Sequence, residues 1–165
     1  MREKIKLFMS LLFAVFLLSG CNSYSNDNDV DLFQYKGSYV GDNSAVFNSV
    51  INIEGAKHLS GLELKTKEKP YGIIVNYDWS DSELNGKKTA INNASYLFVL
   101  LQNVEWINFN FERGDGIEEY KITRDNLQTW YGRNLDMIDK EDQLKVLITE
   151  SLEDEEKVNQ LRTKG

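Results

Sequence analysis

The chain has 165 residues, with 19 Lys or Arg against 26 Asp or Glu and a single His, Cys and Pro. A net charge of −7 without a Lys/Arg cluster argues against nucleic acid as a partner, because phosphate binding needs a basic face. One cysteine excludes a disulfide framework, and one histidine leaves none of the usual His/Cys spacings for a metal, so no cofactor and no metal are expected.

Residues 1–20 read as a lipoprotein signal peptide: a basic start (Arg2, Lys4, Lys6), an apolar run, and small residues before a cysteine. Leu18, Ser19 and Gly20 are the peptidase recognition residues, and Cys21 is the lipid attachment site, a thiol placed to be alkylated before cleavage on its N-terminal side. From Ile5 to Gly20 is 16 residues, short of the roughly 20 that span a bilayer, so a plain transmembrane anchor is the weaker reading. A diacylglyceryl group supplies the two chains that stable anchoring takes, which predicts a protein held on the outer leaflet of the cell membrane, facing away from the cytoplasm. Without residues 1–20, which hold Arg2, Lys4, Lys6 and Glu3, the census falls from 19 basic and 26 acidic to 16 and 25, a net charge of about −9. The remaining length suits one domain.

Residues 21–32, polar and without periodicity, read as a flexible tether. Phe33 to Val40 alternates aromatic and polar residues and predicts a short strand. Asp42 to Ser44 offers an N-cap, and Val46, Phe47, Val50, Ile51 and Ile53 predict an amphipathic helix ending near Gly55. Residues 61–66 and 71–79 predict a β-hairpin, with Tyr71, Ile73, Val75, Tyr77 and Trp79 on one face of the second strand. Lys88 to Gln102 is apolar over most of its girth and predicts a central core helix. In Val104 to Glu112, Ile107, Phe109 and Phe111 face one way and Trp106, Asn108 and Asn110 the other; Ile117 to Thr123 returns after a Gly-rich turn. A short helix follows Thr123 and stops at Gly132, and a last one from about Lys140 carries Leu144, Leu147, Ile148 and Leu152 on one stripe.

These elements predict an α+β fold: an antiparallel four- to five-stranded sheet with helices on one face, in split βαβ-like order, plus C-terminal helices. The domain is placed at residues 33–152. Residues 153–165 read as an acidic, frayed tail available to a partner, so that truncation after Glu153 should leave thermal stability nearly unchanged.

The stretch Tyr39 to Val46, then Leu62 to Gly72, Tyr77 and the helix from Ala94 to Asn103 resembles a domain-of-unknown-function family of Gram-positive bacterial lipoproteins, also found at the ends of some sensor-type membrane metallopeptidases. The resemblance covers roughly residues 35–125. It implies an extracytoplasmic setting and an envelope role, and it assigns no activity and no functional residues.

Four groups invite a chemical reading. His58 could join a Ser and an Asp, but no Gly-x-Ser-x-Gly turn exposes a nucleophile, and no catalytic residue is assigned. Asn76 to Glu83 offers alternate oxygens for calcium but has Asp81 and Lys87 where an EF-hand needs glycine and glutamate. Arg113-Gly114-Asp115 spells an adhesion tripeptide and reads more plainly as a hairpin turn. Trp79, Trp106, Asn108 and Asn110 form the candidate ligand-binding set, since aromatic faces beside amides suit carbohydrate or peptide. A plainer reading, in which a C-terminal helix buries Trp106, carries more weight. The function expected is a lipid-anchored, non-enzymatic binding or accessory module with an envelope protein or glycan as partner; the alternative is a hydrolase of envelope glycan or peptide.

Overall fold

The computed structural model describes residues 30–163. The signal peptide, Cys21 and most of the tether lie outside the described residues. In chain order a 3-10 turn (Leu32–Tyr35) is followed by α1 (Asn43–Val50), β1 (Leu59–Lys65), β2 (Gly72–Asp78), α2 (Gly86–Leu100), β3 (Trp106–Arg113), β4 (Gly116–Thr123), α3 (Arg124–Tyr131), α4 (Glu141–Glu153) and α5 (Glu155–Gln160).

The four strands form one open sheet in the order β1-β2-β3-β4. The fold is α+β, as expected, and two corrections apply to its sheet. Phe33 to Val40 is not a strand. The Asp31 carboxylate accepts from Phe33 N–H and starts a 3-10 turn, Gly37 then takes φ +91°, and the only ladder contact left is a bridge from Ser38 to Leu101. The sheet is also mixed rather than antiparallel. β1/β2 and β3/β4 are antiparallel hairpins, but β2 and β3 run parallel, because α2 carries the chain back to the same end before β3 begins. With no strand inserted between β2 and β3, the crossover is direct and the split βαβ order does not apply.

Alternation along the strands sorts their side chains. Ile73, Val75 and Tyr77 of β2, Ile107, Phe109 and Phe111 of β3, and Ile122 of β4 point into the core and are buried. Against this face lies α2, which packs on β3 and β4 and is in turn covered by α1 and α4. Twelve of its 15 residues are buried, which accounts for an apolar surface running most of the way round. Its polar residues are bonded within the core: Asn93 Nδ2 donates to Glu54 O at 2.8 Å and Tyr77 Oη at 3.0 Å, and Ser95 Oγ lies 2.8 Å from Tyr131 Oη. Burial raises the Tyr77 and Tyr131 pKa values well above that of a free phenol, so both hydroxyls stay neutral.

The C-terminal end of α2 is closed by Arg124, the first residue of α3. Its guanidinium donates to Phe98 O at 2.8 Å, Val104 O at 2.9 Å and Leu101 O, and reaches Asp136 at 3.1 Å. A cation at this place satisfies carbonyls the helix cannot, and opposes the negative end of its dipole. Burial lowers the Arg124 pKa, and the carboxylates of Asp136 and Glu105 oppose that shift.

The frayed tail expected after Leu152 is a further correction. Asp154 accepts from Lys157 N–H and caps α5; Val158 and Leu161 are buried, 3% and 4% exposed. Trp130 Nε1 donates to Lys157 O at 2.7 Å while the Lys157 ammonium lies 4.9 Å from the Trp130 ring centroid. The next residues reach the outer edge of β4, where Lys121 N–H donates to Thr163 O at 2.6 Å.

Candidate functional site

The face of the sheet turned away from α2 carries the other half of each alternation. Across the parallel seam Gly72 pairs with Trp106, Ile74 with Asn108 and Asn76 with Asn110; Lys121 of β4 lies opposite Asn108, and Gly61 of β1 opposite Asn76. Three of these residues form a directed chain of amides. Asn108 Nδ2 donates to Asn110 Oδ1 at 3.1 Å, and Asn110 Nδ2 donates to Asn76 Oδ1 at 2.8 Å. Its Asn108 end is unsatisfied among the described residues: Asn108 Oδ1 is a buried acceptor with no donor, on a residue only 9% exposed. Each bond in such a chain polarises the next. A buried acceptor left unmade costs about 1–3 kcal/mol.

Trp106 stands at one end of this chain and is half-buried, not part of the core. Its Nε1 donates to Pro70 O at 3.0 Å, its ring lies over the backbone of Gly72, and the Lys121 ammonium sits 5.2 Å from the ring centroid. Gly72 is required by this arrangement, because a Cβ there would stand 2.1 Å from Trp106 Cε2. Gly72→Ala is therefore expected to displace the ring and to cost about 1–3 kcal/mol by overpacking. Urea denaturation monitored by tryptophan fluorescence checks this; an unchanged midpoint and emission would mean that the ring is not fixed there.

The structure does not bring Trp79 to this face. It shares the parity of Tyr77, is fully buried, and packs edge-on against Phe111, His58 and Tyr77 at 4.7, 5.0 and 5.5 Å, with Nε1 donating to Leu84 O at 3.2 Å. Trp106, Asn108 and Asn110 stay together, joined by Asn76, Gly72 and Lys121, which sequence reading passed over. Asn76 had a signal, since it sits at an outward position of β2.

The remaining candidates can be placed as well. A groove of about 290 Å³ is lined by His58, Ser60, Asp78 and Asp81, yet no hydrogen bond joins His58 to any of them and its Nε2 is buried without a partner among the described residues. Asp78 Oδ1 instead accepts from Ser80 N–H at 3.1 Å and Ser80 Oγ at 2.6 Å, bonds that lower its pKa below the usual carboxylate range. A relay to a nucleophile is not assembled in this groove. The oxygens of the calcium reading do not converge, since Asn76 Oδ1 is held by Asn110 on the sheet face; among the described residues no group of three His, Cys, Asp or Glu is placed to hold a metal ion. Arg113 bonds Ser82 O at 3.4 Å and lies 3.7 Å from Glu118 beside the β3–β4 turn, as a hairpin residue would.

Comparison with protein families adds one finding. The family model described as a domain of unknown function, DUF4825, matches residues 32–123. The chain belongs to this family. The DUF4825 match takes in the 3-10 turn, α1, α2, the whole sheet and every residue of the amide chain, and it ends at Thr123, one residue before Arg124; α3, α4 and α5 lie beyond it. No curated protein and no solved structure matches the chain. Among the described residues no helix is long and apolar enough to cross a membrane.

Proposed function

We propose that this DUF4825 protein is a lipid-anchored lipoprotein of the outer membrane leaflet, whose domain is a non-enzymatic binding module for a neutral, hydrogen-bonding ligand of the cell envelope. The anchoring half of this reading rests on Leu18-Ser19-Gly20-Cys21, with Cys21 carrying the lipid. Its test is Cys21→Ala in the full chain with metabolic fatty-acid labelling, where the parent takes up label and the variant does not; equal labelling of the two would end it.

The binding half rests on one observation, the amide chain that runs from Asn108 through the partly exposed Asn110 and Asn76 beside the half-buried ring of Trp106. An envelope glycan or peptide presents both donors and acceptors for the partly exposed amides of Asn76 and Asn110 and an apolar face to lie against the indole. Co-sedimentation with purified cell-wall material is expected to retain the parent protein, and Trp106→Ala or Asn110→Ala to weaken retention by about tenfold, the loss of roughly 1.4 kcal/mol. Equal retention of parent and variants would remove this face from recognition, and release of soluble wall fragments would replace binding by hydrolysis.

A further inference from the structure

We propose that the outer face of α1 is the surface by which the domain rests on the bilayer that holds its lipid, an inference that depends on the anchored reading of Cys21. Phe47 of α1 and Ile51, the residue that caps the helix one turn later, are 49% and 38% exposed, and Tyr39, in the turn leading into the same helix, is 58% exposed. The 11 residues from Asn43 to Ile53 carry no charge, in a sequence that is 27% charged. Asp42 at one end of this run is engaged as the N-cap of α1, accepting from Ala45 N–H at 3.0 Å, and Glu54 bounds the other.

Two physical arguments select the membrane as the occupant. The first is charge. With a net charge of about −9 after processing, the domain as a whole is repelled by anionic lipid, and an uncharged face with aromatic and aliphatic side chains among Asn and Ser is suited to the headgroup boundary. The second is where the chain enters. The 3-10 turn Leu32–Tyr35, which receives the tether, packs against α1. From Asn22 to Asp31 is 10 residues, a span of at most about 33–36 Å, so a surface beside the entry point stays near the bilayer. The lipid has already supplied the cost of association, and a few apolar side chains are then enough to set orientation.

The test uses the full lipidated chain in vesicles of phosphatidylcholine with one quarter phosphatidylglycerol, with Cys21 modification verified by intact mass. An environment-sensitive fluorophore is placed through Asn48→Cys, on α1 between Phe47 and Ile51, or through Met137→Cys, a position 78% exposed in the segment between α3 and α4. The expected result is quenching of the first by spin-labelled lipid by about twofold or more, little change at the second, and loss of the difference when Phe47→Asp and Ile51→Asp are added. If the mass shows lipid on Cys21 and the two positions quench alike, the proposal is overturned while the anchor stands. An α1 probe that emits as a shielded group in the vesicles yet is not quenched by spin-labelled lipid would also overturn it, since a second copy of the chain would then be the occupant. An unmodified Cys21 would remove the anchored reading and this inference with it.

Discussion

Arg124→Met is expected to lower the stability of the domain by about 3–5 kcal/mol, a fall of roughly 10–15 °C in Tm. The replacement keeps much of the volume but leaves Phe98 O, Leu101 O and Val104 O without their donors, at a residue only 8% exposed. Each orphaned carbonyl costs about 1–3 kcal/mol, moderated wherever water can enter. Arg124→Lys should recover only part of the loss, because an ammonium is a point charge and cannot span carbonyls from both α2 and the loop before β3. Thermal denaturation of the three proteins checks this. A loss below about 1 kcal/mol for Arg124→Met would show that those carbonyls have other partners and that Arg124 does not close the helix.

Truncation after Glu153 is expected to lower Tm by about 10 °C, equivalent to roughly 3 kcal/mol, in contrast to the near-zero effect that the sequence suggested. Removing α5 withdraws Val158 and Leu161 from the core, at about 1.5–3 kcal/mol each, and leaves Trp130 Nε1 without its acceptor. Regained chain entropy offsets part of this. Val158→Asp, which leaves the chain at full length, should reproduce more than half of the fall; an unaltered melting curve for the truncated chain would show that α5 is docked without stabilising anything.

The error over α5 has a physical source. Asp154, Glu155 and Glu156 look unsuited to burial, but acidic residues at the start of a helix cap its free N–H groups and favour its dipole, so the same run is a helix start. What the sequence could not show was the surface receiving Val158 and Leu161. The elements read best were those whose signal is local: α2 from its broad apolar girth, and the two hairpins from their alternation. Phe33 to Val40 also alternates, but a capping Asp31 and the positive φ of Gly37 decided the local backbone. Alternation fixed which face each side chain takes, and it already put Trp79 with Tyr77 rather than with Trp106. It carried no information on which strands would be neighbours. Hence Asn76, brought beside Asn110 only by the parallel pairing of β2 with β3, was the member of the candidate site that could not be assembled in advance.

That parallel seam also bears on the order in which the sheet can form. Each hairpin joins residues close in sequence and can close on the microsecond scale, whereas β2 and β3 meet only after the intervening α2 has folded back, the slower and less local event. The Asn110–Asn76 bond and the Trp106–Pro70 bond both cross the seam. A chain with both hairpins made but the seam open would therefore have most of its strand content and no complete amide chain, so the candidate surface itself reports the completion of folding.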